Sequence, residues 1–375
     1  MPKFIEKTYR SVLNKKKFID HWFWSRYTLN PYNGCMFGCI YCDARSEHYH
    51  MPEDFENQIL IKKGIGDLLD TRISRARTLK PDVVVIGGVT DPYQPAETKY
   101  RNTRQCLAIL KKHQYPVHII TKSDLVLDDI ALLQEIAQQT WSTVSFTITT
   151  TNPKIAKFLE VRSPSPARRL AAIEKIKAKT PQIQVGALVI PVVPFLTDSD
   201  IQLEDVVRSV KDSGADFLLF GGAMTMRNLQ ASWYLKHIQK SYPELMHKYE
   251  TLYNFSHNND TYQGNLVPQA SYLLSNHRKL IKLCKDYELP VRIKRFIPAD
   301  FRKLNYEVAE VILHRSRSKQ LTGKPYENFF WAGQHIQNLN ESIQDIYSRN
   351  ALSTISNVTG EVLEMVKHLL ENPYH

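Results

Sequence analysis

Residues 30–46 read NPYNGCMFGCIYCDARS, and Cys35, Cys39 and Cys42 place three of the chain's five cysteines inside eight positions. A C-x3-C-x2-C loop offers three soft thiolates from one short segment. Gly34 and Gly38 let the backbone turn tightly round whatever the sulfurs hold. Two chemistries use such a donor set. Three thiolates on a four-iron cluster leave one iron open, which the amino and carboxylate groups of S-adenosylmethionine can chelate. An electron from the cluster then breaks the bond from sulfur to C5′ and gives a 5′-deoxyadenosyl radical. The rival is a Cys3His zinc site completed by His48 or His50, in a basic nucleic-acid-binding protein without catalysis. The spacing to either histidine is loose, and the aromatic Tyr41 before the third cysteine suits the cluster better.

Composition narrows the setting. With 375 residues, 43% hydrophobic and 23% charged, the chain can bury a core large enough for one big domain or two modest ones. No apolar run approaches the roughly 18 residues that span a bilayer, and MPKFIEKTYRS lacks a secretory apolar stretch. The expected location is the cytoplasm, without a membrane partner. Five cysteines suit a metal or reactive site better than a disulfide framework. A net charge of +11 and a pI near 9.2 favour polyanions, DNA or RNA among them. Lys3, Lys7, Arg10, Lys15, Lys16, Lys17 and Arg26 precede the cysteines, interleaved with Tyr9, Trp22, Phe23, Trp24 and Tyr27. Such a mixture holds phosphates by charge and bases by stacking, unless the aromatics belong to the core. A second basic block runs from Arg292 to Lys324.

Short apolar runs alternate with amphipathic ones. VVVIGGV (83–89), VHIITKS (117–123), TVSFTITT (143–150), QVGALVIPVV (184–193) and DFLLFGGA (216–223) predict strands buried on both faces. Helical patterns fill the gaps at 102–113, 128–139, 165–179 and 200–214. With a strand leading into the cysteine loop, this gives about six βα units and a parallel sheet, either a complete or partial βα barrel or a doubly wound sheet. Chemistry in barrels collects at the C-terminal ends of strands, where GGVTDPYQ, TKSD, TITTTN, PVVPFLTD and GGAMTMRN lie. Beyond residue 224 longer helices are expected at 228–253 and 271–287, then a strand VRIKRFI (291–297) and a helical tail from about 301.

NPYNGCMFGCIYC, TDPYQPAE, RNTRQCLAIL, ITKSDLVLDDIALL, SFTITT, LEVRSPSPARRL, IPVVPFLTD and GGAMTMRN occur in this order over roughly residues 28–290. In this the chain resembles the radical S-adenosylmethionine (radical SAM) superfamily and, within it, the spore photoproduct lyase-like branch. The resemblance implies an α/β fold, a partial (β/α)6 TIM-like barrel with a C-terminal helical extension. It also implies a four-iron four-sulfur ([4Fe-4S]) cluster, S-adenosylmethionine and a reductant such as flavodoxin or ferredoxin. By position, Cys35, Cys39 and Cys42 match the cluster ligands and Tyr41 the aromatic over the cofactor. Thr90 and Thr147 match serines of the lyase, and Lys122 matches a lysine near the cofactor carboxylate. These types suit their tasks, since a carboxylate needs a cation and ribose hydroxyls need short polar partners. Glu160 and Arg162 are added as cofactor-binding candidates, and Asp91 and Arg227 join Tyr41 as catalytic ones. Asp91 has the alternative of capping the helix that carries Arg104. Cys106 and Cys284 sit in apolar helical patterns and read as buried small hydrophobes.

Two departures matter. The lyase's hydrogen-returning cysteine, three residues before the aspartate of the second strand, is here Gly88. A tyrosine of the same relay, directly after the third cluster cysteine, is here Asp43. The expected organisation is a basic N-terminal segment (1–27), the core barrel (28–225), its helical continuation (226–300) and a C-terminal helical region (301–375). The expected function is reductive cleavage of S-adenosylmethionine for hydrogen abstraction from a substrate that the sequence does not name, with nucleic acid first among classes.

Overall fold

The computed structural model describes residues 2–256 and 262–372. Residues 257–261, inside the expected helical continuation, and 373–375, at the end of the expected helical tail, lie outside the described residues. The chain forms two compact units, one of residues 1–14 and 27–293, the other of 15–26 and 294–375. The expected N-terminal piece 1–27 is therefore divided between them, and 226–300 is not separate, its first 68 positions falling in the larger unit.

The strands are β1 (Lys3–Lys7), β2 (Asn14–Asp20), β3 (Ser25–Leu29), β4 (Tyr32–Asn33), β5 (Gln58–Lys62), β6 (Val84–Ile86), β7 (Val117–Thr121), β8 (Ser142–Thr147), β9 (Gln184–Val189) and β10 (Phe217–Phe220). In the larger unit β3, β6, β7, β8, β9 and β10 lie side by side in chain order, all parallel. A doubly wound sheet reverses its strand order at a switch point. Here the order never reverses, so the sheet is the wall of a partial (β/α)6 barrel. Helices Ile65–Ser74, Asn102–Lys112, Ile130–Gln139, Pro166–Lys179 and Asp200–Asp212 make the crossovers. Alternation along each strand sends Val117, Ile119, Val144, Phe146, Val185 and Ala187 into the core shared with those helices. The opposite face carries His118 and Ser145, hydrogen-bonded across β7 and β8 at 2.7 Å.

Each strand stops short of the apolar run that predicted it. β6 ends at Ile86 because Gly87 turns at φ +96°, a conformation that side chains resist. The rest of GGVTDPYQ is thereby freed as a loop. The helix expected over 228–253 breaks at Pro243 into Asn228–Ser241 and Met246–Tyr253. No strand forms at 291–297. The Leu218 amide donates to Pro290 O at 2.8 Å, but a proline has no N–H to return and the ladder does not propagate.

The smaller unit packs helices Arg302–Leu321, Glu327–Ile336, Ile343–Ser348 and Gly360–Glu371 round Ala309, Ile312, Ala332, Ile336 and Val362. Phe18 meets Trp331 edge to face, and the Arg317 guanidinium lies over Trp22. Trp24 and Tyr27 are buried, so the base-stacking role open to them in the sequence falls to the core reading.

A Cβ at Gly87 would stand 2.2 Å from Ile120 O and 2.6 Å from Pro92 Cδ. Gly87→Ala is expected to lower unfolding stability by about 2 kcal/mol or more. Urea unfolding under reducing conditions measures it, and an unchanged midpoint would contradict the close approach.

Candidate cofactor site

The cysteine loop follows β3, at the C-terminal edge of the sheet. Each of its three cysteine carbonyls closes a turn on the amide three residues on, from Gly38 to Cys35, Cys42 to Cys39 and Arg45 to Cys42, at 3.3, 3.3 and 3.1 Å. Gly34 turns at φ +84°, and a Cβ there would stand 2.3 Å from Gln58 O, so only glycine fits. The buried Gln94 amide spans the loop's start, accepting from Met36 N and donating to Gly34 O, both at 3.0 Å. At the other end Gln230 donates to Tyr41 O at 3.1 Å. Arg45 pairs with Glu56 at 2.9 Å and lies between the rings of Phe55 and Trp233.

Cys35 and Cys39 are buried and Cys42 partly so, all three unbridged. Cys35 feels the charge of Cys39 and Cys42, and Cys39 that of Cys42. Burial pushes every one of them up, Cys39 to about 11 despite the opposing influence of Lys122, and Cys35 and Cys42 likewise. Metal coordination overrides such a shift by stabilising the thiolate. Among the described residues no three His, Cys, Asp or Glu side chains gather round one point as ligands of a single metal ion. A tetrahedral zinc at about 2.3 Å from each sulfur would need them within roughly 4 Å of one another. A cluster that takes each thiolate on a different iron has wider spacing, and three soft thiolates from one loop suit iron.

Tyr41 and Lys122 come together, with the Lys122 ammonium 5.6 Å from the Tyr41 ring centroid. No carboxylate among the described residues lies within ion-pair distance of that ammonium. Burial would lower Lys122, but Cys39 and Glu160 outweigh it and hold it above its ordinary value. The Tyr41 hydroxyl donates to Glu160 at 2.5 Å. Glu160 pairs with Arg169, both side chains 1% exposed, and burial's upward push on its carboxyl is overcome by Arg169 and Lys122. Arg169 also donates to Thr147 O at 2.8 Å, at the end of β8. The sequence reading missed Arg169. Its signal was an arginine on the buried stripe of a helix, in register with Pro166, Ala172, Ile173 and Ile176.

The other candidates divide. Thr90 is buried with its hydroxyl on Tyr32 O at 2.7 Å, and Thr147 is buried at the end of β8. Asp91 accepts from Thr121 Oγ1, Lys122 N and Tyr93 N at 2.7, 2.7 and 2.9 Å. It ties the loop after β6 to the end of β7 and does not cap the helix of Arg104. Glu97 does that, taking Thr103 N and Arg104 N at 3.0 and 3.1 Å. Arg162 is not brought into the site; its side chain is exposed and donates to Asn57 at 3.0 Å. Strand-end position misled there, because the helix Pro153–Leu159 intervenes after β8. Arg227 pairs with Asp43 at 2.9 Å; Asp43 also takes the Tyr49 hydroxyl at 3.3 Å. Gly88 is exposed, and Cys106 and Cys284 are fully buried in the apolar core.

This parallel sheet with its cysteine loop defines a class, and the family model described as the Radical SAM superfamily matches residues 29–219. The chain belongs to that superfamily, whose members use a four-iron four-sulfur cluster and S-adenosylmethionine. An uncharacterized protein of Mycobacterium tuberculosis is 32% identical over 232 residues, 61% of this chain and 67% of the relative. One of Methanocaldococcus jannaschii is 28% identical over 233 residues, 61% of this chain and 80% of its own. A solved spore photoproduct lyase complexed with dinucleoside spore photoproduct superposes with a TM-score of 0.54 at 14% identity, over 76% of this chain and 79% of that one. At that identity the likeness is one of fold. No helix among the described residues is long and apolar enough to cross a membrane.

Glu160 gives a pH signature. A carboxyl held below its unfolded value adds stability that is fully present above the ordinary glutamate range, about pH 4.3, and lost as pH falls through the folded value. The stability gap between the wild type and Glu160→Gln, read from urea midpoints in iron-free protein from pH 7 to pH 3, is expected to narrow with falling pH. A gap constant with pH would contradict an ionised Glu160.

Proposed function

We propose that this chain cleaves S-adenosylmethionine reductively and uses the resulting radical to take hydrogen from a substrate, with nucleic acid first among substrate classes on the ground of net charge. The observation that carries this reading is the gathering of three cysteines on one loop near the Lys122 ammonium, which lies over the Tyr41 ring. Cys35, Cys39 and Cys42 hold three irons of the cluster. When bound, the cluster and S-adenosylmethionine together supply a 5′-deoxyadenosyl radical. Lys122 takes the cofactor carboxylate, a task for which a cation with no carboxylate in ion-pair reach among the described residues is suited. Tyr41 packs its ring against the cofactor, and Thr90 and Thr147 line the strand ends beneath it. Arg227, half-exposed and held by Asp43, faces the substrate side. The electron comes from a flavodoxin- or ferredoxin-type carrier in the cytoplasm.

If the three thiolates share one cluster, Cys35→Ala, Cys39→Ala and Cys42→Ala each abolish 5′-deoxyadenosine formation, because two thiolates hold the cluster poorly. Cys106→Ala and Cys284→Ala retain their iron. Iron loss in either of those two would show a wrong ligand set.

Repair of spore photoproduct is not the reaction proposed. That repair ends when a thymine radical regains hydrogen, and Gly88 has no thiol to give, while Asp43 cannot relay one as a phenol does. Cys106 and Cys284 are 0% exposed in the apolar core. Given dinucleotide spore photoproduct and dithionite, the enzyme is expected to cleave S-adenosylmethionine without repeated release of intact thymines. Release over many turnovers would contradict the assignment of Gly88 and Asp43.

A further inference from the structure

The stretch Leu159–Ser163 runs alongside the cysteine loop and fastens it at four points. Ile40 N donates to Leu159 O at 2.9 Å, and Arg162 N donates to Phe37 O at 3.1 Å. Ser163 Oγ lies 3.8 Å from Cys39 Sγ, and Glu160 takes the Tyr41 hydroxyl. The stretch is itself fixed by Arg169, whose guanidinium donates to Pro164 O, to Thr147 O and to Glu160. One planar fork therefore ties the end of β8 to the segment that grips the cysteines.

A buried ion pair is by itself weak evidence of stabilisation, since apolar residues of the same volume often serve as well. What this pair supplies, and an apolar pair could not, is a fixed acceptor for the hydroxyl of Tyr41, between the second and third cysteines. Thr149 Oγ1, at 3.4 Å, shares the same carboxylate oxygen. Lysine could not replace Arg169, because one ammonium cannot reach three acceptors lying in the plane of a guanidinium.

We propose that Arg169 and Glu160 are positioning residues for the cysteine loop, a clasp that sets Tyr41 and the segment from Cys39 to Cys42 in the shape that cluster-binding thiolates need. This rests on the reading of Cys35, Cys39 and Cys42 as cluster ligands.

The test compares the wild type with Glu160→Gln, Arg169→Lys and Tyr41→Phe. Hydrogen exchange by mass spectrometry is followed in peptides covering residues 34–46, in iron-free and in reconstituted full-length chain. Iron release to a ferrous chelator is timed in the reconstituted form. Glu160→Gln and Arg169→Lys are expected to speed exchange in 34–46 by tenfold or more, with β7 and β9 peptides unchanged, and to release iron faster in the same proportion. Tyr41→Phe removes one oxygen and leaves the ion pair, so it folds even if the others do not; a smaller increase confined to the same peptides is expected. Unaltered exchange in 34–46, or an increase spread evenly over the sheet, would overturn the clasp. A wild type that takes up no iron would instead sink the cluster reading, while the iron-free exchange data still judge the clasp.

Discussion

Thiols that must work as thiolates are here kept out of water, and the site is arranged round that conflict. Burial favours the protonated sulfur, and a single ammonium at Lys122 does not reverse the balance for Cys39. Bound cations can, and on the proposed reading iron would supply them. The protein's part would then be to deliver three sulfurs to that metal from one irregular loop. It does so with buried amides and one ion pair: Gln94 from the loop after β6, Glu160 with Arg169 from the segment after β8, and Gln230 from the helix after β10. Each belongs to a different βα unit, so the loop's shape depends on the whole sheet being folded.

The chain order of the strands gives that dependence its economy. Six parallel strands run without reversal of order, and the cysteine loop, Thr90, Lys122 and Thr147 all lie at or beyond their C-terminal ends. Glycine is required where backbones crowd. Gly34 lets the loop pass close to β5, and Gly87 lets β6 stop beside β7 so that Asp91 can take the Lys122 amide.

Much of this was legible in the sequence because its signals are local. Cysteine spacing and apolar runs of strand length are written within a few residues of the features they specify. Loops that end strands were harder, since VVVIGGV and QVGALVIPVV remain apolar past the point where Gly87 or Pro191 ends the pairing. Arg162 and Arg169 show the limit most clearly. Both follow the same strand, but Arg169 lies on the buried stripe of helix Pro166–Lys179 while Arg162 lies in the connection before that helix and turns to solvent. The capping task open to Asp91 falls to Glu97 for a similar reason: capping depends on where the loop returns, not on distance along the chain.

The central claim is that the three thiols hold iron in a cluster. It is tested most directly by purifying the wild type without oxygen, reconstituting it with iron and sulfide, and recording metal content with the visible spectrum. The account predicts a brown protein with about four irons per chain and broad sulfur-to-iron absorption near roughly 400 nm. A colourless protein with about one zinc and no iron would contradict it.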